Sequence, residues 1–422
     1  MRYALLALLL VSCATTKPDP AAARIDRYIQ QSMAQFPEVP SLGVAIVRDG
    51  KTILTRGYGF RDVEQRLPAT DETVYYIASS TKSYVGLLTA VLAQRGVVDL
   101  DAPITRYLPE VQLPERVTLR TLLTHTAGIS NDAIVMRTAF SGEHSSRSLV
   151  TLLGRSKAID PTFKYDNLGY VAAGLVLERV TGKPWQELLA TELFAPLGMT
   201  HTTAYMSRAS RWPLATPYDA NRELRIERLS FVKVDETMHA AGGLVTTPRD
   251  LARWLEANIH HSVLPAAAYA EAQKRQVAAP DRDWYRFTRS GYGFGWYDSK
   301  YEGVRMLHHF GGYEGWRAHV SFLPEQKHGV AIVTNTGGPG AQLRDVLAAY
   351  AYDVLLGKPD VEAAYATHLA KLRTDMTASM ERARADLEKR RQRTLVADES
   401  GAVVRRYLRE RAVRNADAPR RG

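Results

Sequence analysis

Ser79-Ser80-Thr81-Lys82 puts a hydroxyl and an amine three residues apart where a helix should begin. Residues i and i+3 lie on one helical face, so local geometry alone brings the two groups together. A serine hydroxyl is a weak nucleophile until a base takes its proton. Lysine can be that base if burial or a nearby cation lowers its pKa well below about 10.4. At a helix N-terminus, free N–H groups would also favour negative charge developing near Ser79. The run Val74-Tyr75-Tyr76-Ile77 before it is β-prone, and Tyr84 to Arg95 after it is helical, a strand–turn–helix context. A second copy, Ser230-Phe231-Val232-Lys233, lies in the alternating stretch Leu229 to Val234. It reads as a strand with Ser230 and Lys233 on opposite faces, and is expected to be structural.

Two further clusters carry chemistry. Tyr165-Asp166-Asn167 lies just before a helix opened by Leu168. A phenol near a lysine can relay protons, and an amide can hold a substrate carbonyl. The bland alternative is that Asp166 or Asn167 is only a helix N-cap. His309-Phe310-Gly311-Gly312 ends a strand-like run, and glycines on an edge strand allow close approach of a ligand backbone. Its alternative is a tight turn preceded by a core histidine. Lys327-His328-Gly329 falls in a polar turn and is expected to mark a hairpin end. His308 and His309 are strand neighbours and should face opposite ways, and His260-His261 lacks a partner cluster. No metal-ligand spacing emerges, and no cofactor is implied.

The elements that must position these clusters follow from periodicity. Arg24 to Gln35 predicts a first helix. Leu42 to Val47 and Thr52 to Tyr58 predict strands joined by Arg48-Asp49-Gly50-Lys51, a two-residue hairpin signal. Helices are expected at Leu119 to Leu123, Leu168 to Thr181, Pro184 to Leu193 and Pro248 to Ile259. Strands return at Tyr292 to Tyr297, Val304 to His309, Trp316 to Leu323 and Gly329 to Thr334, before a helix at Leu343 to Leu356. Strands, a helical block, strands and a helix predict an α+β fold. Both chain ends would form one antiparallel sheet flanked by helices, with a mostly helical lobe inserted. Asp360 to Arg393 reads as a long charged helix, and the chain beyond Leu395 as basic and mobile.

The 422 residues are 45% hydrophobic and 24% charged, ordinary for a globular protein with a large core. The net charge of +10 is local: Lys371 to Gly422 holds 15 basic and 8 acidic residues, leaving the rest near +3. That removes most support for a nucleic-acid partner. Arg2 and the apolar run Ala4 to Val11 read as a signal peptide over residues 1–12, since a membrane span needs about 20 apolar residues. The single cysteine, Cys13, follows directly. Leu10-Val11-Ser12-Cys13 resembles the lipobox of bacterial lipoproteins. That implies lipidation at Cys13, a tether over residues 13–23, and a periplasmic lipoprotein on the outer membrane. The charged extension from 358 to 422 could engage an envelope partner.

Taken in order, the three clusters resemble the serine β-lactamase and penicillin-binding protein family, in its class C-like branch. Leu122-Leu123-Thr124-His125-Thr126-Ala127-Gly128, Pro196-Leu197-Gly198-Met199 and Ala241-Gly242-Gly243-Leu244 are similar to that branch, as is Thr247-Pro248-Arg249-Asp250-Leu251. The resemblance covers about Ile25 to Gly357, so the hydrolase domain is expected over 24–357. It implies Ser79 as the acylated nucleophile, Lys82 as its base partner and Tyr165 sharing proton transfer. Asn167 would contact the acyl side chain, and His309 would orient Tyr165 and the substrate. The N–H groups of Ser79 and Gly312 would form the oxyanion hole, with Gly311 beside them. Phe310 stands where such sites usually carry a Thr or Ser hydroxyl that binds a substrate carboxylate. Arg317 and His319 are candidate replacements for that lost contact. The expected activity is therefore that of an esterase, amidase or D-amino-acid peptidase on a small-molecule or peptide substrate. The alternatives are a β-lactamase proper and a non-catalytic envelope-binding or sensor lipoprotein.

Overall fold

The Asp49-Gly50 pair folds the first hairpin as its sequence dictates. Both residues take positive φ, 51° and 76°, the requirement of a two-residue turn that matches strand twist. The hairpin joins β1 (Ser41–Arg48) to β2 (Lys51–Asp62), and β3 (Leu67–Pro68) follows on its edge. The computed structural model describes residues 19–220, 225–230 and 233–392. Residues 1–12 and Cys13 lie outside the described residues, as does the chain beyond Gln392.

Helix α1 (Pro20–Gln35) precedes the hairpin. It begins four residues earlier than expected, so the tether does not extend to Ala23. Pro20 sits in the first turn, Asp19 Oδ1 accepts the Ala21 and Ala22 N–H groups, and both alanines are buried. Helix α2 (Thr81–Gln94) carries Lys82 and is buried continuously from Thr81 to Leu92. A helix apolar around its whole circumference belongs in a core. Helix α3 (Leu168–Thr181) packs on it and, after a loop-rich lobe, Trp254 of α4 (Pro248–His260) stacks on its Tyr84.

The C-terminal half supplies six more strands. They are β4 (Val277–Trp284), β5 (Phe287–Tyr292), β6 (Tyr297–Tyr301), β7 (Val304–Tyr313), β8 (Trp316–Leu323) and β9 (His328–Thr334). All join one antiparallel nine-stranded sheet, in the order β4-β5-β6-β7-β8-β9-β1-β2-β3. The N-terminal hairpin therefore completes a sheet begun by the C-terminal strands, as the α+β reading expects. Every residue of β9, and all of β1 except Arg48, is buried. Helix α4 packs on these two strands, and α5 (Gly338–Leu355), backed by α1, packs on β9 and β8.

Three expectations need correction. Tyr292 to Tyr297 is not a strand: Tyr292 ends β5, Tyr297 starts β6, and the turn between them packs Gly295 against the backbone of Lys82. The strand β4 was not anticipated, because Pro280 and its charged neighbours hide the pattern. Near Ser230 the strand spans only Ile226–Arg228, Ser230 lies in a bend and Phe231 and Val232 fall outside the described residues. Lys233, expected on a strand face, is 5% exposed.

The last helix, α6 (Val361–Gln392), starts within the same compact unit, which runs to Arg373. Tyr365 packs there on Tyr28 and Tyr350, so the body extends beyond residue 357. A second unit comprises residues 374–422. Among the described residues no helix is long and apolar enough to cross a membrane.

Candidate active site

Ser79 sits in a 3₁₀ turn, Ala78–Ser80, that runs directly into α2. Ala78 before it takes φ +44°, an uncommon conformation for a residue with a side chain and one that marks functional turns. The turn is pinned from three sides. Ser80 Oγ donates to the His309 carbonyl at 3.2 Å, the Ile77 N–H donates to Leu244, and the Leu244 N–H donates to Thr81 Oγ1. Strand β7 lies so close that a Cβ on Gly311 would sit 1.9 Å from the Ile77 carbonyl oxygen. Only glycine permits that approach.

Lys82 is fully buried beneath Ser79. Its Nζ lies 3.2 Å from Ser79 Oγ, 2.7 Å from Asn167 Oδ1 and 2.8 Å from the Ala241 carbonyl oxygen. Burial lowers its pKa well below the usual lysine value, against a pull upward from Asp166. A neutral amine has two N–H donors and one lone pair. Asn167 and Ala241 offer only acceptors and take both donors. In the neutral form, an amine that keeps those two bonds would turn its lone pair to the Ser79 hydroxyl.

Tyr165 completes the cluster. Its ring centre lies 4.8 Å from Lys82 Nζ. The residue is 38% exposed. Desolvation pushes its pKa up, so the phenol keeps its proton at neutral pH. Asp166 Oδ1 caps α3 by accepting the Leu168 N–H at 2.8 Å. Asn167 makes no cap bond of its own and spends its amide oxygen on Lys82.

His309 faces this cluster from β7, its ring centroid 6.0 Å from that of Tyr165. Nδ1 lies 2.8 Å from the Phe310 carbonyl oxygen, and Nε2 lies 3.2 Å from the Tyr292 hydroxyl. Burial first, then Lys82, lowers its pKa well below the usual histidine value. The ring is thus neutral and does not supply the positive charge of a lysine. Strand β6 pairs with β7 only from Val304 to His308, so the β7 edge beyond His308 has no β6 partner. Gly312 lies in that stretch, opposite Arg317 of β8.

Phe310 points to the other face of the sheet. Its ring packs among Trp284, His308 and His319, with the guanidinium groups of Arg289 and Arg344 about 5 Å from its centre. His319 is fully buried on that face beside Phe310. Arg317 Nη1 donates to the Tyr313 and Trp316 carbonyls, and strand alternation puts it on the same face. Neither replaces the missing hydroxyl in the Ser79 cleft, contrary to expectation, because the β7–β8 register turns both away.

Three contributors lacked a sequence signal strong enough to assign them. His125 carries φ +59°, and its ring lies tilted against that of Tyr165 with 4.5 Å between centroids. Tyr297 lies nearly parallel to Tyr165 at 6.2 Å, with the Arg289 guanidinium 4.0 Å from its own ring. The Ala241 carbonyl is a backbone atom, invisible to any reading of side chains. His125 lies in the Leu122–Gly128 run, which was legible as a motif but not as a wall of the site.

Comparison with known proteins adds an independent line. The family model described as Beta-lactamase matches residues 25–353. The chain is 24% identical over 330 residues to Protein flp of Staphylococcus aureus (strain N315), covering 76% of this chain and 64% of that protein. The chain thus spans less than two thirds of that relative. The octameric penicillin-binding protein homologue from Pyrococcus abyssi superposes with a TM-score of 0.69 at 27% identity, over 80% of this chain and 77% of that one. D-amino acid amidase from Ochrobactrum anthropi SV3 superposes with a TM-score of 0.66 at 22% identity, over 79% of this chain and 99% of that one, a likeness of fold.

Proposed function

The chain belongs to the Beta-lactamase family, and from that premise we propose that it is a serine hydrolase that forms an acyl-enzyme on Ser79 and acts on esters or amides. One observation carries the reading: the Lys82 amine, fully buried and with its pKa lowered by that burial, lies 3.2 Å from Ser79 Oγ while Asn167 Oδ1 and the Ala241 carbonyl accept from it.

The steps follow from that arrangement. Ser79 passes its proton to Lys82 Nζ while Oγ attacks the substrate carbonyl carbon. The oxyanion is held by the N–H groups of Ser79 and Gly312. The bond to the leaving group breaks as that group takes the proton from the Lys82 ammonium, relayed through Tyr165, which returns the amine to its neutral form. Water then attacks the acyl carbon, gives its proton to the amine, and Ser79 leaves with a proton restored. Lys82 is the proton acceptor in this reading, because burial moves it toward the neutral form, whereas burial moves Tyr165 away from phenolate. Asn167 Oδ1 and the Ala241 carbonyl hold the ammonium that forms.

Mass spectrometry after exposure to a fluorophosphonate tests the assignment. The expected result is one adduct, on Ser79, lost in Ser79→Ala. Hydrolysis of a short-chain nitrophenyl ester that survives in Ser79→Ala removes Ser79 from the mechanism. The β-lactamase alternative is disfavoured by Phe310, whose ring faces the other layer and gives the cleft no hydroxyl. Faster turnover of a chromogenic cephalosporin than of the ester reverses that preference. Lipidation at Cys13 remains part of the proposal. Metabolic labelling with a fatty-acid analogue, lost in Cys13→Ser, tests it.

A further inference from the structure

Lys233 is a buried cation that the acyl-transfer steps leave unused. Its Nζ donates to the Ala139 carbonyl at 2.6 Å and to the Thr237 carbonyl at 3.3 Å. It lies 3.9 Å from the ring centre of Tyr313, 5.6 Å from Tyr76 and 5.9 Å from Phe140. Three aromatic faces and two carbonyls thus surround one amine, an environment that suits an ammonium. Burial nonetheless draws its pKa down to about 7, against an upward pull from Glu314.

The partners come from separate segments of the chain. Tyr76 stands three residues before Ser79, and its hydroxyl donates to the Gly242 carbonyl. Tyr313 follows Gly312 on β7, and its hydroxyl donates at 3.2 Å to the same Ala139 carbonyl that Lys233 holds. Phe140, in the turn Arg137–Ser141, lies 5.7 Å from the Tyr313 ring and is 43% exposed. His309, Gly311 and Tyr313 alternate onto one face of β7. Tyr165, which would deliver the proton to the leaving group, sits at the His309 end. Tyr313 is four residues further on, about 13 Å along the strand. The acyl substituent would therefore extend toward Tyr313 and Phe140.

We propose that Lys233 is a positioning residue for substrate selection: by tying the Arg137–Ser141 turn to Thr237 and to the Tyr313 ring, it holds Phe140 and Tyr313 as one apolar wall that accepts a flat, uncharged acyl substituent. This rests on the acyl-transfer reading above. Lys233 touches no reacting atom; it acts through the wall.

The test compares p-nitrophenyl phenylacetate with p-nitrophenyl acetate in the full chain, in Lys233→Met and in Phe140→Ala. The wild type is expected to favour the phenylacetyl ester in kcat/KM. Each variant is expected to lower that preference at least tenfold, with the loss in KM for the aryl ester. General damage to the fold lowers both esters together and leaves the ratio unchanged. If Lys233→Met does not fold, the exposed Phe140→Ala decides. A wild type with no preference, or a ratio that falls less than tenfold, overturns the proposal. Fluorophosphonate labelling in parallel separates the two readings. A labelled Ser79 with an unchanged ratio sinks the Lys233 proposal alone, whereas an unlabelled Ser79 sinks the hydrolase reading with it.

Discussion

The backbone N–H of Asp166 donates to Nδ1 of His125 at 3.2 Å, joining two segments 41 residues apart beneath Tyr165. The histidine therefore carries its proton on Nε2, which is buried and has no hydrogen-bond partner. It accepts that cost while fixing the loop that presents the phenol.

His125→Ala should lower kcat about 100-fold, the order expected when a reacting group shifts by about 1 Å. His125→Asn should recover part of that loss. Asparagine tolerates positive φ better than alanine, and its side-chain oxygen can accept the Asp166 N–H. Equal losses in the two variants, measured by steady-state kinetics on a nitrophenyl ester, would refute the link.

Ser79→Ala should reduce ester turnover at least about 10³-fold, and Tyr165→Phe about 10²- to 10⁴-fold. The pH profile of kcat/KM should rise through an acid limb as Lys82 loses its proton and then level off, because the lysine pKa is lowered by burial. Lys82→Arg, which stays charged, should show neither the limb nor the activity.

Lys82 should also tilt stability with pH. Its folded-state pKa is lowered, so the unfolded chain binds more protons between that value and the ordinary lysine value. Stability then rises with pH across the window. Thermal melts should show the Tm of Lys82→Met gaining on the wild type as pH falls from about 9 to about 6. A constant difference would mean that the amine is not buried in its neutral form.

Gly311 and Gly312 should behave differently although they are adjacent. A Cβ on Gly311 meets the Ile77 carbonyl oxygen at 1.9 Å, whereas one on Gly312 meets only the Arg317 side chain, at 3.7 Å or more. Gly311→Ala should destabilise by about 3 kcal/mol or more and abolish activity. Gly312→Ala should keep its melting temperature within a few degrees.

Asp345 anchors the layer behind the site. It accepts from Arg344 Nε at 2.9 Å and from Trp284 Nε1 at 2.7 Å. Burial alone would raise its pKa, but Arg344 and His319 outweigh that and hold it at about 2. Its contribution is complete above about pH 4 and should fade as pH falls toward about 2. Asp345→Asn leaves Arg344 buried without its counter-charge and should cost about 3–5 kcal/mol by denaturant melts.

Much of this protein was legible in one dimension because the physics is local. Helical pitch alone puts Ser79 and Lys82 on one face, and Asp49-Gly50 alone demands the first turn. The long apolar runs of β1 and β9 announce strands covered on both sides. Other features depend on segments hundreds of residues apart. The Lys82 pKa falls because burial desolvates its amine, and desolvation is a property of the assembled core. Arg317 and His319 face away from Ser79 because strand pairing sets their face, which spacing cannot. The two Ser-x-x-Lys motifs show the division most plainly. Pattern separated Ser79 from Ser230, but only packing revealed that Lys233, dismissed with its serine, is caged by Tyr76, Phe140 and Tyr313 beside the same cleft.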